Sequence, residues 1–447
     1  MNFPNGFVWG AASASYQVEG ASKQDGRGAS VWDTFSHTPG KTFGGHTGDE
    51  ACDAYHRYPE DIAILTRLGI PHYRFSIAWP RIFPDGRTLR ARGFDYYDRL
   101  VDFCLESGVT PWITLFHWDT PQALEDAGGW HSRETAELAG LYAAAVAEHF
   151  KNRVKHYFTL NEPQCFIGLG YETGLHAPGK TLEPADLFIC WHNAMLAHGL
   201  MAKAVRSSAA DVQIGVASAG QIAFPHSKSQ DDVAAAKHAT FSTSAYAPSV
   251  LFTHQAFLDP ILLGRYPDEP FFTGGSFNPA DFSLIHQPID FVGLNCYSGV
   301  EAASGEDGEA VIVPPYRGYP RTALKWPVTP EILRYGPLWT CERYHLPVYI
   351  TENGLSCNDR IFLDDRVHDP ERVDFLHRYL CELRKACADG ADVRGYFHWS
   401  LTDNFEWSNG YKERFGLVYV DYPTQRRILK DSAFWYAGVV KTNGAEL

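Results

Sequence analysis

Nowhere in its 447 residues does this chain carry an apolar stretch approaching the roughly 18 residues of a membrane span. Its opening segment, Met1-Asn2-Phe3-Pro4-Asn5-Gly6, has neither the basic nor the apolar region of a secretory leader. Basic residues form no extended run, and the net charge is −14 with a pI near 5.7, which argues against nucleic acid or an anionic membrane as a partner. The nine cysteines, Cys52, Cys104, Cys165, Cys190, Cys296, Cys341, Cys357, Cys381 and Cys387, are an odd number with no C-x-x-C pair. They read as free thiols of a reducing compartment, mostly small core fillers. There is no H-E-x-x-H and no Asn-x-Ser/Thr sequon, so zinc proteolysis and a glycosylated secreted protein lose support. A soluble cytoplasmic protein is expected.

Hydrophobic content of 45% with 21% charged residues suits a globular protein with a large core. The 14% aromatic content, including 12 Trp and 23 Tyr, has two readings: core volume, or a cleft where flat rings stack on a flat ligand. No low-complexity segment, short repeat or linker divides the chain, which points to a single domain over residues 1–447. Ser298–Pro315, with Gly305, Gly308 and paired prolines, is the best loop candidate. Near-continuously apolar β-type runs occur at Phe7–Tyr16, His72–Trp79, Thr110–Trp118, His156–Asn161, Gln213–Ala219, Ile289–Tyr297, Leu346–Thr351 and Val393–Leu401, as strands buried on both faces require. Helical patterns lie between them, such as Tyr58–Leu68, stopped by Gly69, and Arg133–Phe150. This alternation predicts an α/β fold, a (β/α)8 TIM barrel. An open doubly wound sheet competes, but no G-x-G-x-x-G follows the first strand and no P-loop is present.

A barrel places its chemistry at the C-terminal ends of the strands. Those ends here carry Tyr16-Gln17, Trp79, His117-Trp118-Asp119, Asn161-Glu162, Asn295-Cys296-Tyr297, Glu352-Asn353 and Trp399. Two glutamates stand out, in Thr159-Leu160-Asn161-Glu162-Pro163 and Ile350-Thr351-Glu352-Asn353-Gly354. Glycoside hydrolysis needs one carboxyl that arrives protonated and one that arrives ionised.

Glu162 before a proline also suits a helix cap or a surface ion pair, but Asn161 sets an amide beside it and Pro163 fixes the turn. Arg74, a cation inside the second strand, needs a carboxylate partner. Glu352 as that partner is at once a structural ion pair and a nucleophile kept ionised. While charged, Glu352 raises the pKa of Glu162; once esterified it releases Glu162 to act as a base. Gln17, His117 and Trp118 are ordinary structural residues when taken alone. In Trp399-Ser400-Leu401-Thr402-Asp403-Asn404-Phe405-Glu406-Trp407, by contrast, a carboxylate sits between rings, matching a sugar's hydroxyl rim and apolar face.

With these residues in view, the chain resembles the β-glucosidases of glycoside hydrolase family 1. The resemblance is carried by Phe7-Val8-Trp9-Gly10-Ala11-Ala12-Ser13-Ala14-Ser15-Tyr16-Gln17, Tyr73-Arg74-Phe75-Ser76, Phe116-His117-Trp118-Asp119, the two glutamate segments, Phe257-Leu258-Asp259-Pro260, Asp403-Asn404-Phe405-Glu406-Trp407 and Arg414-Phe415-Gly416-Leu417. It implies an exo-acting, retaining double displacement on a small neutral β-glycoside, without metal or organic cofactor. Glu162 would be the acid/base and Glu352 the nucleophile, with Arg74 and Tyr297 holding the nucleophile ionised and Asn161 binding the 2-hydroxyl. Gln17, His117, Trp118, Asn295, Glu406 and Trp407 would bind the glycone, with Trp399 beneath the ring. An intact Glu406 favours a neutral sugar over a 6-phosphosugar, because an anion there repels phosphate.

Three departures from the family pattern are visible. Gln164 stands where many members have Trp, the stretch Ala217-Ser218-Ala219-Gly220 lacks an Asn, and Cys296 replaces the first Tyr of a pair. The first two fall on the leaving-group side, where Gln164 and Trp326 are the candidate aglycone residues. A β-galactosidase, β-fucosidase or 6-phospho-β-glycosidase of the same fold is the alternative enzyme, and a carbohydrate-binding pseudoenzyme is the alternative class. Binding alone does not require both glutamates. A homo-oligomer is compatible with the sequence, which does not fix the state.

Overall fold

The computed structural model of the protein describes residues 2–209, 211–242 and 249–447. Eight parallel strands close into a barrel: β1 (Val8–Ala12), β2 (His72–Ser76), β3 (Thr110–Phe116), β4 (His156–Asn161), β5 (Gln213–Ser218), β6 (Phe291–Asn295), β7 (Val348–Asn353) and β8 (Val393–Trp399). Each strand neighbours the next in the chain, and β1 closes the ring against β8 with Ala12 opposite Trp399. This is the (β/α)8 barrel. Helices after each strand form the outer layer: α1 (Ala54–Leu68), α2 (Phe94–Glu106), α3 (Arg133–Phe150), α4 (Pro184–Ser208), α5 (His254–Leu263), α6 (Ile332–Tyr344), α7 (Pro370–Ala388) and α8 (Asp431–Lys441). Gly69 ends α1 in the left-handed conformation, at φ 66°, that a side chain disfavours.

Aromatic rings fill the barrel interior. Trp112, Phe158, Phe291, Tyr349, Phe397 and Trp399 form one buried cluster beneath the strand ends. Glycines on the strands make room for them: a Cβ on Gly10 would lie 2.4 Å from the Phe397 ring, and one on Gly215 would lie 2.2 Å from Phe291. The aromatic content therefore supplies core volume, and part of it also reaches the cleft described below.

The expected loop at Ser298–Pro315 is instead structured. Val300–Ser304 pairs antiparallel with Ala310–Val313, and Ala223–Pro225 adds a third strand. The glycines serve the turn, where Gly308 has φ 83°, while the mostly half-buried residues on either side pair as strands. Beneath the loop after β8 lies a buried ionic cluster. Lys430 Nζ reaches Asp359 at 2.5 Å and Asp403 at 2.6 Å, Arg372 reaches Asp359 at 2.7 Å, and Arg414 reaches Asp403 at 2.6 Å. Among the described residues no helix is long and apolar enough to cross a membrane, and no cluster of metal-ligating side chains occurs.

Candidate active site

The C-terminal ends of the strands surround a cleft of about 260 Å³, close to the lower end of the range for small-molecule sites. Glu162, directly after β4, and Glu352, in β7, both face it, as do His117, Trp118, Trp399, Glu406 and Trp407. Leu169, Phe252, Leu324, Trp326 and Phe415 line it as well. The lining thus combines carboxyls, an imidazole and indoles with apolar side chains.

Glu352 is held by cationic and phenolic donors. Arg74 Nη1 lies 2.6 Å from its Oε1 and the Tyr297 hydroxyl donates to its Oε2 at 2.7 Å. Arg74 is fully buried, and its other groups bond Thr114 Oγ1, Thr351 O and Asn161 Oδ1, while its guanidinium lies 4.8 Å from the centre of the Phe158 ring. Burial raises the Glu352 carboxyl above its ordinary value, and Arg74, Tyr297 and Asn295 offset the rise only in part. Glu162 has no such cation. Burial, then the charge of Glu352, lifts its carboxyl to about 7, and hydrogen bonding from Asn295 opposes the rise. The two titrate as a pair, and the proton belongs on the member without the guanidinium.

Asn295 does more than the sequence revealed. Its Nδ2 donates to Glu162 Oε1 at 2.6 Å and to Asn161 Oδ1 at 3.1 Å, while its Oδ1 accepts from Thr351 Oγ1 at 2.6 Å. Both amide protons of Asn295 are thus engaged within the protein, and the residue expected to bind sugar orients Glu162. Asn161 is likewise buried, with Oδ1 shared by Arg74 and Asn295 and Nδ2 donating to His117 Nε2 at 3.1 Å. One amide proton of Asn161 is still available.

Burial, then Arg74, drives His117 well below its ordinary pKa, so the ring is neutral. With Nε2 accepting from Asn161, its proton lies on Nδ1, which is buried without a protein partner. Gln17 is also fully buried; its Nε2 donates to Asn404 Oδ1, Phe405 O and Glu406 Oε2, and its Oε1 has no protein partner. Burial, then the charges of Glu352, Glu162 and Glu413, lifts Glu406 to about 8. The unpartnered Nδ1 and Oε1 are groups a polyhydroxylated ligand can satisfy. Trp407 packs 4.4 Å from Trp118, whose Nε1 donates to Asn161 O at 2.8 Å, and the His117 ring stacks 5.8 Å from Trp399.

The two aglycone candidates part company. Trp326 is 36% exposed at the mouth, 5.5 Å from the Tyr297 ring. Gln164 does not reach the cleft: it is fully buried and its amide bonds Ser218, Thr253 and Ala219. A polar side chain there has partners under the wall and none is needed at its surface. From the same segment Cys165 and Leu169 face the cleft instead. Sequence reasoning did not single out Leu169, Phe252 or Leu324; Phe415 lay within a quoted motif, but nothing in its residue type signalled a wall.

The chain matches Glycosyl hydrolase family 1 over residues 1–445 and belongs to that family. It is 43% identical over 458 aligned residues to β-glucosidase A of Thermotoga maritima, covering 99% of each protein. It is 42% identical over 477 residues to a bifunctional β-D-glucosidase/β-D-fucosidase of Bifidobacterium breve, covering 100% of this chain and 99% of that one. Among solved structures, the Thermotoga maritima β-glucosidase in complex with glucoimidazole superposes with a TM-score of 0.90 at 43% identity, covering 99% of both chains.

Proposed function

We propose that this chain is a retaining exo-β-glucosidase that releases terminal non-reducing β-D-glucosyl residues from short oligosaccharides, cellobiose included, and from aryl or alkyl glucosides. The observation that carries the reading is the contrast between two carboxyls in one cleft: Glu352 has Arg74 and Tyr297 as donors, and Glu162 has an amide and a pKa lifted to about 7.

In the first step Glu352 attacks the anomeric carbon from the α face while the glycosidic C–O bond breaks and Glu162 gives its proton to the departing oxygen. The product is an α-glucosyl ester of Glu352. Esterification removes the negative charge that helps raise Glu162, so the newly ionised Glu162 is stable as a base. Water enters the vacated leaving-group side, Glu162 takes its proton, the oxygen attacks the same carbon, and Glu352 departs as carboxylate. The sugar leaves as the β-anomer and Glu162 is protonated again.

Asn161 has one amide proton available for the 2-hydroxyl, where a bond that strengthens in the oxocarbenium-like state aids the chemical step. Gln17, His117 and Glu406 take the remaining glycone hydroxyls, and Trp399 and Trp407 pack on the ring. Glu406 favours a neutral sugar over a 6-phosphosugar. The Bifidobacterium breve relative is named for both glucose and fucose, which supports fucosides as second substrates. Free cysteines and the acidic surface support a cytoplasmic, single-domain catalyst.

The decisive experiment assays 4-nitrophenyl β-glucoside, β-galactoside, β-fucoside and 6-phospho-β-glucoside, with proton NMR of the first-formed sugar. Turnover of the glucoside with β-glucose released first is expected. First-formed α-glucose would sink the retaining mechanism, and no turnover would favour a binding protein.

A further inference from the structure

Glu162 holds φ at 46°, a left-handed conformation that a non-glycine residue keeps only when its surroundings over-determine it. The surroundings are three consecutive residues at the end of β5. Glu162 N–H donates to Ala217 O at 2.9 Å. Two residues on, Gln164 Nε2 donates to Ser218 Oγ at 2.9 Å and to Thr253 O at 3.3 Å, and its Oε1 accepts the Ala219 N–H at 3.3 Å. Ser218 Oγ also meets His254 Nδ1 at 3.0 Å, joining the start of α5. All four of these side chains are buried, so loss of one amide leaves several polar groups unsatisfied. Glu352 hangs from a different frame, Arg74 and Tyr297, and neither bonds Gln164.

We propose that Gln164 is a positioning residue for the acid/base: its amide rivets the Glu162 turn to β5 and keeps the carboxyl aimed at the glycosidic oxygen. The idea rests on Glu162 being the acid/base. Its signature differs from that of a general loss of packing. A 2,4-dinitrophenolate departs without a proton, whereas a sugar alkoxide does not, so a misaimed acid harms only poor leaving groups. A distorted barrel harms every substrate alike.

The test measures kcat/KM for 2,4-dinitrophenyl β-glucoside, 4-nitrophenyl β-glucoside and cellobiose in wild type, Gln164→Met, Ser218→Ala and Glu162→Ala, with a thermal melt of each. Gln164→Met is expected to lose about tenfold or more on cellobiose and less than about threefold on the dinitrophenyl glucoside. Ser218→Ala, a milder change to the same clamp, should show a smaller loss in the same order. Glu162→Ala gives the limiting pattern; a uniform loss there overturns the acid/base reading itself. A steep Glu162→Ala pattern beside flat ones for Gln164→Met and Ser218→Ala overturns the clamp. If Gln164→Met does not fold, the ratio for Ser218→Ala decides alone.

Discussion

The Tyr297 hydroxyl donates to Glu352 Oε2 at 2.7 Å, the oxygen left over when Arg74 takes Oε1 at 2.6 Å. Burial, then the charge of Glu352, drives the Tyr297 pKa well above its ordinary value, so the phenol stays a donor throughout the working range. Tyr297→Phe removes one hydrogen bond to the ionised carboxylate and leaves the ring in place. That bond lowers the Glu352 pKa, so its loss raises it, and the acidic limb of kcat/KM should move to higher pH by about one unit. Activity on 4-nitrophenyl β-glucoside at neutral pH should fall about tenfold. A pH–rate profile reads both, and an unmoved acidic limb would count against Glu352 as the group that must be ionised.

If Glu162 is the acid/base, as proposed, the basic limb of the profile reports its titration. Its carboxyl, near 7 when Glu352 is charged, is raised first by burial and second by that charge. Trapping the enzyme as a 2-deoxy-2-fluoroglucosyl ester removes the second cause while leaving most of the first. The Glu162 pKa should therefore drop on trapping, by about one unit or more. Carbon NMR of the labelled carboxyl, with and without the trapped sugar, follows it directly. A pKa that stays put would show that burial alone governs Glu162 and would remove the switching argument.

Much of this was legible in the sequence for a geometric reason. A closed parallel barrel sends every strand's C-terminal end to one rim, so Glu162 and Glu352 meet there although they are far apart in the chain. Apolar runs report burial and not strand, which is why Phe7–Tyr16 shrank to Val8–Ala12: the rest of that run passes into a buried helical turn, Ser15–Val18, that carries Gln17. The pairing of Asn295 with Glu162 was not legible, since it depends on β6 and β7 placing Asn295 opposite Glu352 across a register shift. Gln164 misled for a related reason: a polar residue after the Glu162–Pro163 turn says nothing about whether it points at the cleft or under it.

If Glu352 carries the sugar, Glu352→Gly should abolish hydrolysis and leave a hole beside the anomeric carbon. Azide can occupy that hole and attack an activated 2,4-dinitrophenyl β-glucoside from the α face, giving α-glucosyl azide. Glu162→Ala should accept azide in the second step instead and give the β-azide. Product NMR separates the two outcomes. The same azide anomer from both variants would refute the division of roles.

Glu406 sits beside Gln17 with a carboxyl lifted to about 8 by burial and then by its carboxylate neighbours. At pH 7 that carboxyl is mostly protonated, so its repulsion of a phosphate on the sugar sets in as pH rises through about 8. If Glu406 binds the glycone, as proposed, Glu406→Ser should lower kcat/KM on 4-nitrophenyl β-glucoside by about 100-fold. On the 6-phosphoglucoside it should fall less, and the gap between the two substrates should widen as pH rises through about 8, where wild-type Glu406 becomes an anion. Equal losses on the two substrates would eliminate the argument from charge.

The ionic cluster under the β8 loop makes a prediction about stability alone. Burial pushes Asp359 up, but Lys430 and Arg372 overcome it and bring the carboxyl to about 2. A folded-state pKa below the unfolded value of about 3.9 gives stability that is complete above that value and is lost as pH falls through about 2. The linked contribution is on the order of 2 kcal/mol, and removing one partner leaves Lys430 and Arg372 short of a buried counter-charge. Asp359→Asn should therefore lower Tm by several degrees at pH 7, and the gap from wild type should close as pH falls from 4 toward 2. Asp403, which touches Lys430 and accepts the Gly416 N–H at 3.0 Å, still anchors the loop bearing Glu406, so kcat/KM at 25 °C should change little. Melts at several pH values, paired with assays at neutral pH, measure both. A Tm gap that persists unchanged at low pH would show that the Asp359 charge is not what stabilises the cluster.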